Sequence, residues 1–206
     1  MSLEKKKAIE IVPLQPSGIG EASMVMSRAF TLSPLLVAAL GESNEKQRST
    51  IEKMYRMMLK EKSGTVLSAK EDGKILGVIR FLEWPQCQKE NNSFLGLKFL
   101  LVLLVFRGKA LRLRKWFSIW AKHDPNKPHL HLSALGVLPE RQGQGVGSLM
   151  LAQLCDYADK LNQAVYLETD VRRNVHLYER FGFAIVEEEP VLSAPNWFMW
   201  RPPRLV

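Results

Sequence analysis

The chain has 206 residues, 46% of them apolar and 24% charged. That composition excludes disorder, collagen and a whole-chain coiled coil, and the length fits one domain with an elaboration. Lysine and arginine number 29 against 21 acidic residues, a net charge of +8, and the excess lies in one segment: residues 91–123 hold seven basic residues and no acid.

Ala8–Leu14 reads as a short first strand. Ala22, Val25, Met26, Ala29 and Phe30 fall at helical spacing within Gly20–Leu40, and Ser33-Pro34 interrupts that pattern. Lys46–Lys62 carries Ile51, Met54, Tyr55, Met58 and Leu59 at i, i+3, i+4, i+7 and i+8, which is one apolar helix face, and Gly64 ends it. Thr65–Lys70 and Lys74–Trp84 read as strands, joined by Asp72-Gly73, residue types that accept the positive φ of a tight hairpin turn. Phe94–Phe106 is apolar at 11 of 13 positions and includes Lys98. It is too short for a membrane span, which needs about 20 residues, so a buried helix is expected. Gly108–Lys122 predicts a basic amphipathic helix with Trp116, Phe117 and Trp120 close on one side. His129–Val137 predicts a strand, and Gly145–Leu161 a helix with Leu149, Leu154 and Ala158 inward. A strand over Ala164–Asp170, a short helix over Asn174–Arg180 stopped at Gly182, and strands over Phe183–Glu188 and Asn196–Trp200 complete the chain. Strands alternating with helices predict a layered α/β domain.

Two cysteines, Cys87 and Cys155, are too few for a disulfide framework or a cysteine-rich zinc site, and four histidines make only a thin case for a metal. Cys155 sits mid-helix and reads as a buried small hydrophobe. The charged first residues lack the apolar run of a secretory signal, so a cytoplasmic location is expected.

The informative stretch runs from Leu135 to Ser148, LGVLPERQGQGVGS. An apolar strand enters a glycine-rich turn that opens a helix. Gly143, Gly145 and Gly147 let the backbone approach a ligand closely, and the free N–H groups of the helix start point at it. Such a site suits a phosphate, with Arg141 adding charge. The spacing G-x-G-x-G is not the dinucleotide fingerprint, and no Gly-Lys-Ser/Thr of a Walker loop follows.

Gln142-x-x-Gly145-x-Gly147 after Leu135-Gly136-Val137 resembles the pyrophosphate-binding motif of the GCN5-related N-acetyltransferases (GNAT). Tyr166-Leu167-Glu168-Thr169, then Asn174-x-x-x-Tyr178-Glu179-Arg180-Phe181-Gly182-Phe183, resembles that family's later strand and helix. The resemblance is close over 128–189 and weaker over 9–84. Pro128-His129 and the Leu-Glu-Thr run are similar to the puromycin acetyltransferase-like members.

The resemblance implies one N-acetyltransferase domain over residues 1–206, with a basic and apolar helical insertion at about 91–125. Its mixed sheet would splay between the fourth and fifth strands, with helices on both faces. Acetyl-coenzyme A would lie in the splay as co-substrate, with no metal. Its pyrophosphate would rest on the backbone of Gln142, Gly143, Gln144, Gly145, Val146, Gly147 and Ser148. Its pantetheine arm would pair with the strand at Leu135 and Val137, across Gly136, and meet Asn174 and Tyr178. The acceptor would be a small amine, and no nucleic acid is expected.

An amine attacking a thioester must lose a proton, the carbonyl oxygen must be stabilised, and the departing thiolate must be protonated. A strand N–H such as that of Val137 suits the second task. The resemblance implies Tyr178 for the third. For the first, strand alternation puts His129, His131, Ser133 and Leu135 on one face, and Tyr166, Glu168 and Asp170 on one face of the neighbouring strand. His131 and Glu168 are therefore the candidate bases. His131 stands where the subgroup usually carries an aromatic. Trp84, Phe94, Trp116 and Trp120 are acceptor-pocket walls or packing. A different class of function would use Lys109, Arg112, Arg114 and Lys115 against an anionic membrane or nucleic acid, with Trp116 and Trp120 as anchors, or would stop at acyl-coenzyme A binding.

Overall fold

A computed structural model describes residues 8–41, 43–89, 104 and 106–204. The strands are β1 (Glu10–Pro13), β2 (Thr65–Glu71), β3 (Lys74–Glu83), β4 (His129–Val137), β5 (Ala164–Thr169), β6 (Ala184–Glu188) and β7 (Trp197–Arg201). The helices are α1 (Ile19–Phe30), α2 (Pro34–Leu40), α3 (Glu45–Lys60), α4 (Ala110–His123), α5 (Val146–Lys160) and α6 (Arg172–Arg180). The strands form one seven-stranded mixed sheet in the order β1-β2-β3-β4-β5-β7-β6.

Local chemistry sets the element boundaries. Asp72 and Gly73 adopt φ of 52° and 76° and close the β2–β3 hairpin between Glu71 and Lys74. Ser33 ends the gap after α1: its side chain accepts from Leu36 N while Pro34 occupies the first turn of α2. Asn44 caps α3 by accepting from Gln47 N.

The sheet carries helices on both faces. On one face α1, α2, α3 and α4 bury Met26, Leu36, Ile51 and Trp116 against Val78 and Ala134. On the other, α5 and α6 bury Met150, Leu154 and Val175 against Ile79, Leu130 and Leu167. Leu149 does not point inward as expected but is 49% exposed, because the inner face of α5 runs through Val146, Met150, Leu151, Leu154, Cys155 and Ala158.

Two features of β4 position the site. Its parallel pairing with β5 runs from His129↔Ala164 to Leu132↔Leu167 and stops, so the strands part beyond Leu132 as the resemblance implied. Its register against β3 passes from Arg80↔Ala134 to Phe81↔Leu132, which leaves Ser133 as an extra residue. That bulge corrects the expected alternation. His129 and His131 share a face with Ala134 and Gly136, toward α1, while Leu135 and Val137 join Leu130 and Leu132 on the α5 face.

The helix expected over Phe94–Phe106 lies outside the described residues except at Leu104 and Phe106, the latter buried in the α1–α4 cluster. On α4, Arg112, Arg114 and Lys115 are exposed, but Trp116 is buried, stacked on Phe117 and edge-on to Trp120. The Trp120 Nε1–H donates to Asn196 Oδ1. Trp116 is buried and Trp120 half-buried against the same cluster, so neither ring stands free as the membrane-anchor reading would have it. Among the described residues no single helix is long and apolar enough to cross a membrane.

Candidate active site

The turn between β4 and α5 leaves backbone amides free at a helix start, a geometry that suits an anion. Gly143 and Gly145 hold φ of 74° and 88°, a region that L side chains avoid. Gly145 is the N-cap of α5, no side chain caps that end, and its first turn has no acid. The first intrahelical bond runs from Leu149 N to Gly145 O, which leaves the amides of Val146, Gly147 and Ser148 without helical acceptors. Gly147 and Ser148, with Gln142, Gly143 and Gly145, line a groove of about 950 Å³. Val146 is buried in the core and does not line the groove. Gln144 turns its amide back to the Glu140 carbonyl and does not line the groove. Gln142 clamps the turn to the strand end, donating to Val137 O and accepting from Arg173 Nη2.

The charge at this groove comes from elsewhere than the sequence suggests. Arg141 makes two bonds to Glu71, at 2.6 and 2.9 Å, and does not line the groove. Arg173 and Arg180, at the two ends of α6, and Arg28 of α1 line it instead.

The free edge of β4 faces the same groove. Leu138 N donates to Leu76 O on the β3 side, so strand alternation turns the amides of Leu135 and Val137 toward the splay. Gly136 has a steric role. A Cβ there would stand 2.7 Å from Met26 Sδ and 3.0 Å from Phe30 Cε2, so only glycine lets α1 lie this close.

A second cavity, of about 160 Å³, lies between the sheet and the α1–α4 layer. Phe30, Tyr55, Phe106, Trp116, Phe117 and Trp120 make it aromatic, and Glu168 and Asp170 add two carboxylates. Groove and cavity share Leu135, Asp170, Asn174 and Tyr178, so the two spaces meet at the face of α6 where Asn174 and Tyr178 stand one turn apart. Burial pushes the Tyr178 phenol well above its ordinary value, and the Asp170 charge adds to the effect. Tyr178 therefore holds its proton at neutral pH. Asp170 Oδ2 is committed to the start of α2, accepting from Leu35 N and Ser33 Oγ.

Glu168 and His131 come together across the β4–β5 pair. His131 Nε2–H donates to Glu168 Oε2 at 2.9 Å. Glu168 Oε1 is buried without a hydrogen-bond partner. His131 Nδ1 lies 3.4 Å from Asp124 Oδ2, outside hydrogen-bond alignment. Both ring nitrogens thus face carboxylates, and Glu168 lines the aromatic cavity.

Comparison with known proteins adds the family. The sequence model of the acetyltransferase (GNAT) family matches residues 32–183. The chain belongs to the GNAT acetyltransferase family. Its fold is similar to that of histone acetyltransferase HPA2 and related acetyltransferase from Corynebacterium glutamicum, with a TM-score of 0.71 and 19% identity over 97% of this chain and 98% of that one. Arylalkylamine N-acetyltransferase 2 from Aedes aegypti gives 0.68 and 13% over 95% and 99%. PaiA N-acetyltransferase from Thermoplasma acidophilum, solved in complex with coenzyme A, gives 0.61 and 14% over 95% and 99%. In sequence, mycothiol acetyltransferase of Jonesia denitrificans is 35% identical over 83 residues, which are 38% of this chain and 26% of that relative's length.

This GNAT chain carries a further cluster that its sequence did not disclose. Behind His131, Asp124 lies 3.2 Å from His129 Nε2, and Cys87 Sγ lies 3.7 Å from that nitrogen. Burial opposes charge on His129, but Asp124, Cys87 and the Lys127 carbonyl together lift its pKa to about 9. Burial likewise opposes charge on His131, and Glu168 leads the groups that raise it well above the ordinary value. Burial would raise Asp124 and Cys87, but the two imidazoles draw both below their usual ranges. Cys155, by contrast, is pushed up to about 11 by burial.

Proposed function

We propose that this GNAT protein moves the acetyl group of acetyl-coenzyme A to the amine of a small molecule by direct attack on the thioester. The observation that carries the reading is the junction of the glycine-turn groove with the aromatic cavity at Leu135, Asn174 and Tyr178. A groove with orphan helix amides and arginines at one end suits a pyrophosphate. A narrow aromatic cavity edged by carboxylates suits an amine carried on an apolar body.

In this mechanism the amides of 146–148, with Arg173 and Arg180, hold the pyrophosphate. The Leu135 and Val137 edge pairs with the pantetheine arm, and Asn174 bonds to it. Glu168 Oε1 takes the proton of the amine, directly or through one water, while His131 fixes its other oxygen. The amine nitrogen bonds to the acetyl carbon, and the carbonyl oxygen gathers charge beside the Val137 N–H. The C–S bond then breaks. The Tyr178 hydroxyl gives its proton to the departing thiolate and regains one from solvent. The products are an amide and the free thiol of coenzyme A. His131 is a positioning residue in this scheme, and Glu168 carries the base.

The test is a panel of amines with acetyl-coenzyme A, followed by thiol release. It includes monoamines on aromatic or alkyl bodies, polyamines, amino acids and peptide N-termini. Release with the apolar monoamines is expected. A protein that binds coenzyme A but acetylates none of the small amines would overturn the reading.

A further inference from the structure

We propose that Cys87, Asp124, His129 and His131 form a tetrahedral site for a divalent transition-metal ion, with zinc the best match. The inference stands independently of the acetyl-transfer reading. It departs from the sequence expectation of no metal, because Cys87, on a helical turn after β3, and Asp124, in the loop after α4, are far apart in sequence.

The spacing of the donor atoms is the first support. Four ligands held tetrahedrally at about 2.0–2.3 Å from one zinc ion stand about 3.3–3.8 Å from each other. Here His129 Nε2 is 3.2 Å from Asp124 Oδ1, while His131 Nδ1 approaches the same carboxylate through its other oxygen, Oδ2, at 3.4 Å. Cys87 Sγ is 3.7 Å from His129 Nε2 and 3.9 Å from Asp124 Oδ1. One ligand atom from each of the four residues lies within 4.8 Å of every other, and all four residues are buried.

The outer contacts are the second support. Each imidazole has its far nitrogen held by an acceptor: His129 Nδ1 by Lys127 O at 2.7 Å, and His131 Nε2 by Glu168 Oε2 at 2.9 Å. Such contacts fix the tautomer and aim the other nitrogen's lone pair at the centre of the cluster, as around bound zinc. His131 Nδ1, in a residue only 5% exposed, has no hydrogen-bond partner there. A ligand bond would satisfy it.

The donor set is the third. A thiolate, two imidazoles and a carboxylate in a four-coordinate cage select zinc over magnesium or calcium. Thiolate and carboxylate together neutralise a dication, so the buried site carries no net charge. Four protein ligands leave no open position, so the ion is structural. It ties Cys87, after β3, and Asp124, after α4, to β4. It also holds the His131 Nε2–H on Glu168.

The experiment uses the full chain, stripped with a chelator under reducing conditions and titrated with cobalt(II), alongside metal analysis of protein grown in zinc. One equivalent of metal per chain is expected. Cobalt should give the intense visible bands of a tetrahedral ion and a thiolate-to-cobalt charge-transfer band. Cys155→Ala and His123→Asn, the second chosen to remove the surface cluster His123, Glu187 and Glu189, should keep both signals. Cys87→Ser should lose the charge-transfer band, and Glu168→Gln should weaken metal affinity by about 10–100-fold. Stripped wild-type protein with native circular dichroism but no thiolate-to-cobalt band would overturn the proposal, whatever the variants do. Zinc retained stoichiometrically by a folded Cys87→Ser, Asp124→Asn double variant would overturn it as well.

Discussion

Gly147→Asp tests the anion site with little disturbance to the fold. Gly147 is the second residue of α5 and lines the groove. It lies outside the positive-φ region, and an added Cβ would touch only Val137 Cγ2, at 3.6 Å. An aspartate in the first turn of a helix is favourable by about 0.3–1 kcal/mol, so folding should survive. The new carboxylate would stand in the groove beside the pyrophosphate. At about 4 Å, two unit charges repel by about 1 kcal/mol in water and about 4 kcal/mol at an effective dielectric of about 20. Coenzyme A affinity should therefore fall by about 5- to 1,000-fold. Added salt should recover part of the loss by screening. Calorimetric titration with coenzyme A reads the affinity, and thermal unfolding checks the fold. Unchanged affinity in a folded variant would refute the placement of the pyrophosphate on this turn. Gly145→Asp is a poorer probe, because φ of 88° adds backbone strain to the charge effect.

Three more outcomes follow from the packing. Gly136→Ala should destabilise by about 1–3 kcal/mol in urea unfolding, since its methyl would meet Met26 and Phe30 at 2.7 and 3.0 Å. Trp116→Leu should raise the acceptor KM while leaving coenzyme A affinity unchanged, because Trp116 lines the cavity and not the groove. Asp159 is held at about 2, below its ordinary 3.8, by hydrogen bonds from Arg201. Its folded pKa is depressed, so its contribution is present above about pH 4 and lost as pH falls toward 2. The difference in Tm between wild type and Asp159→Asn should shrink over that window.

What the sequence disclosed was local. The Asp72-Gly73 turn, the Ser33-Pro34 break, the span of β4 and the glycine turn are written in neighbouring residues, and the structure has each where its residue types require it. Alternation correctly brought His131 and Glu168 together, because His131 lies within the paired stretch and Glu168 directly follows its last residue, Leu167. It failed at Leu135, because the bulge at Ser133 is a property of the pairing with β3 and leaves no mark in the β4 sequence. Arg141 misled for a similar reason: its partner, Glu71, arrives from the far end of β2, 70 residues away. Leu149 is apolar but one step off the buried face of α5. Cys87 and Asp124 were invisible as ligands, because 37 residues separate them and only the path of the chain after β3 and after α4 brings them to the histidines. Arg173 and Arg180 were legible in principle as basic residues on the helix that carries Asn174 and Tyr178.

The central claim is that chemistry occurs where groove and cavity meet, beside Tyr178, and single-turnover acetyl transfer by Tyr178→Phe tests it most directly. The substitution removes the proton donor and keeps the ring that packs against Phe183 at 5.7 Å, so the fold and coenzyme A affinity should persist. Positioned acid catalysis contributes about 10²–10⁴-fold, and the single-turnover rate should fall by that factor in rapid-quench measurements. A folded Phe variant that transfers acetyl at the wild-type single-turnover rate would contradict the claim and leave Tyr178 a packing residue.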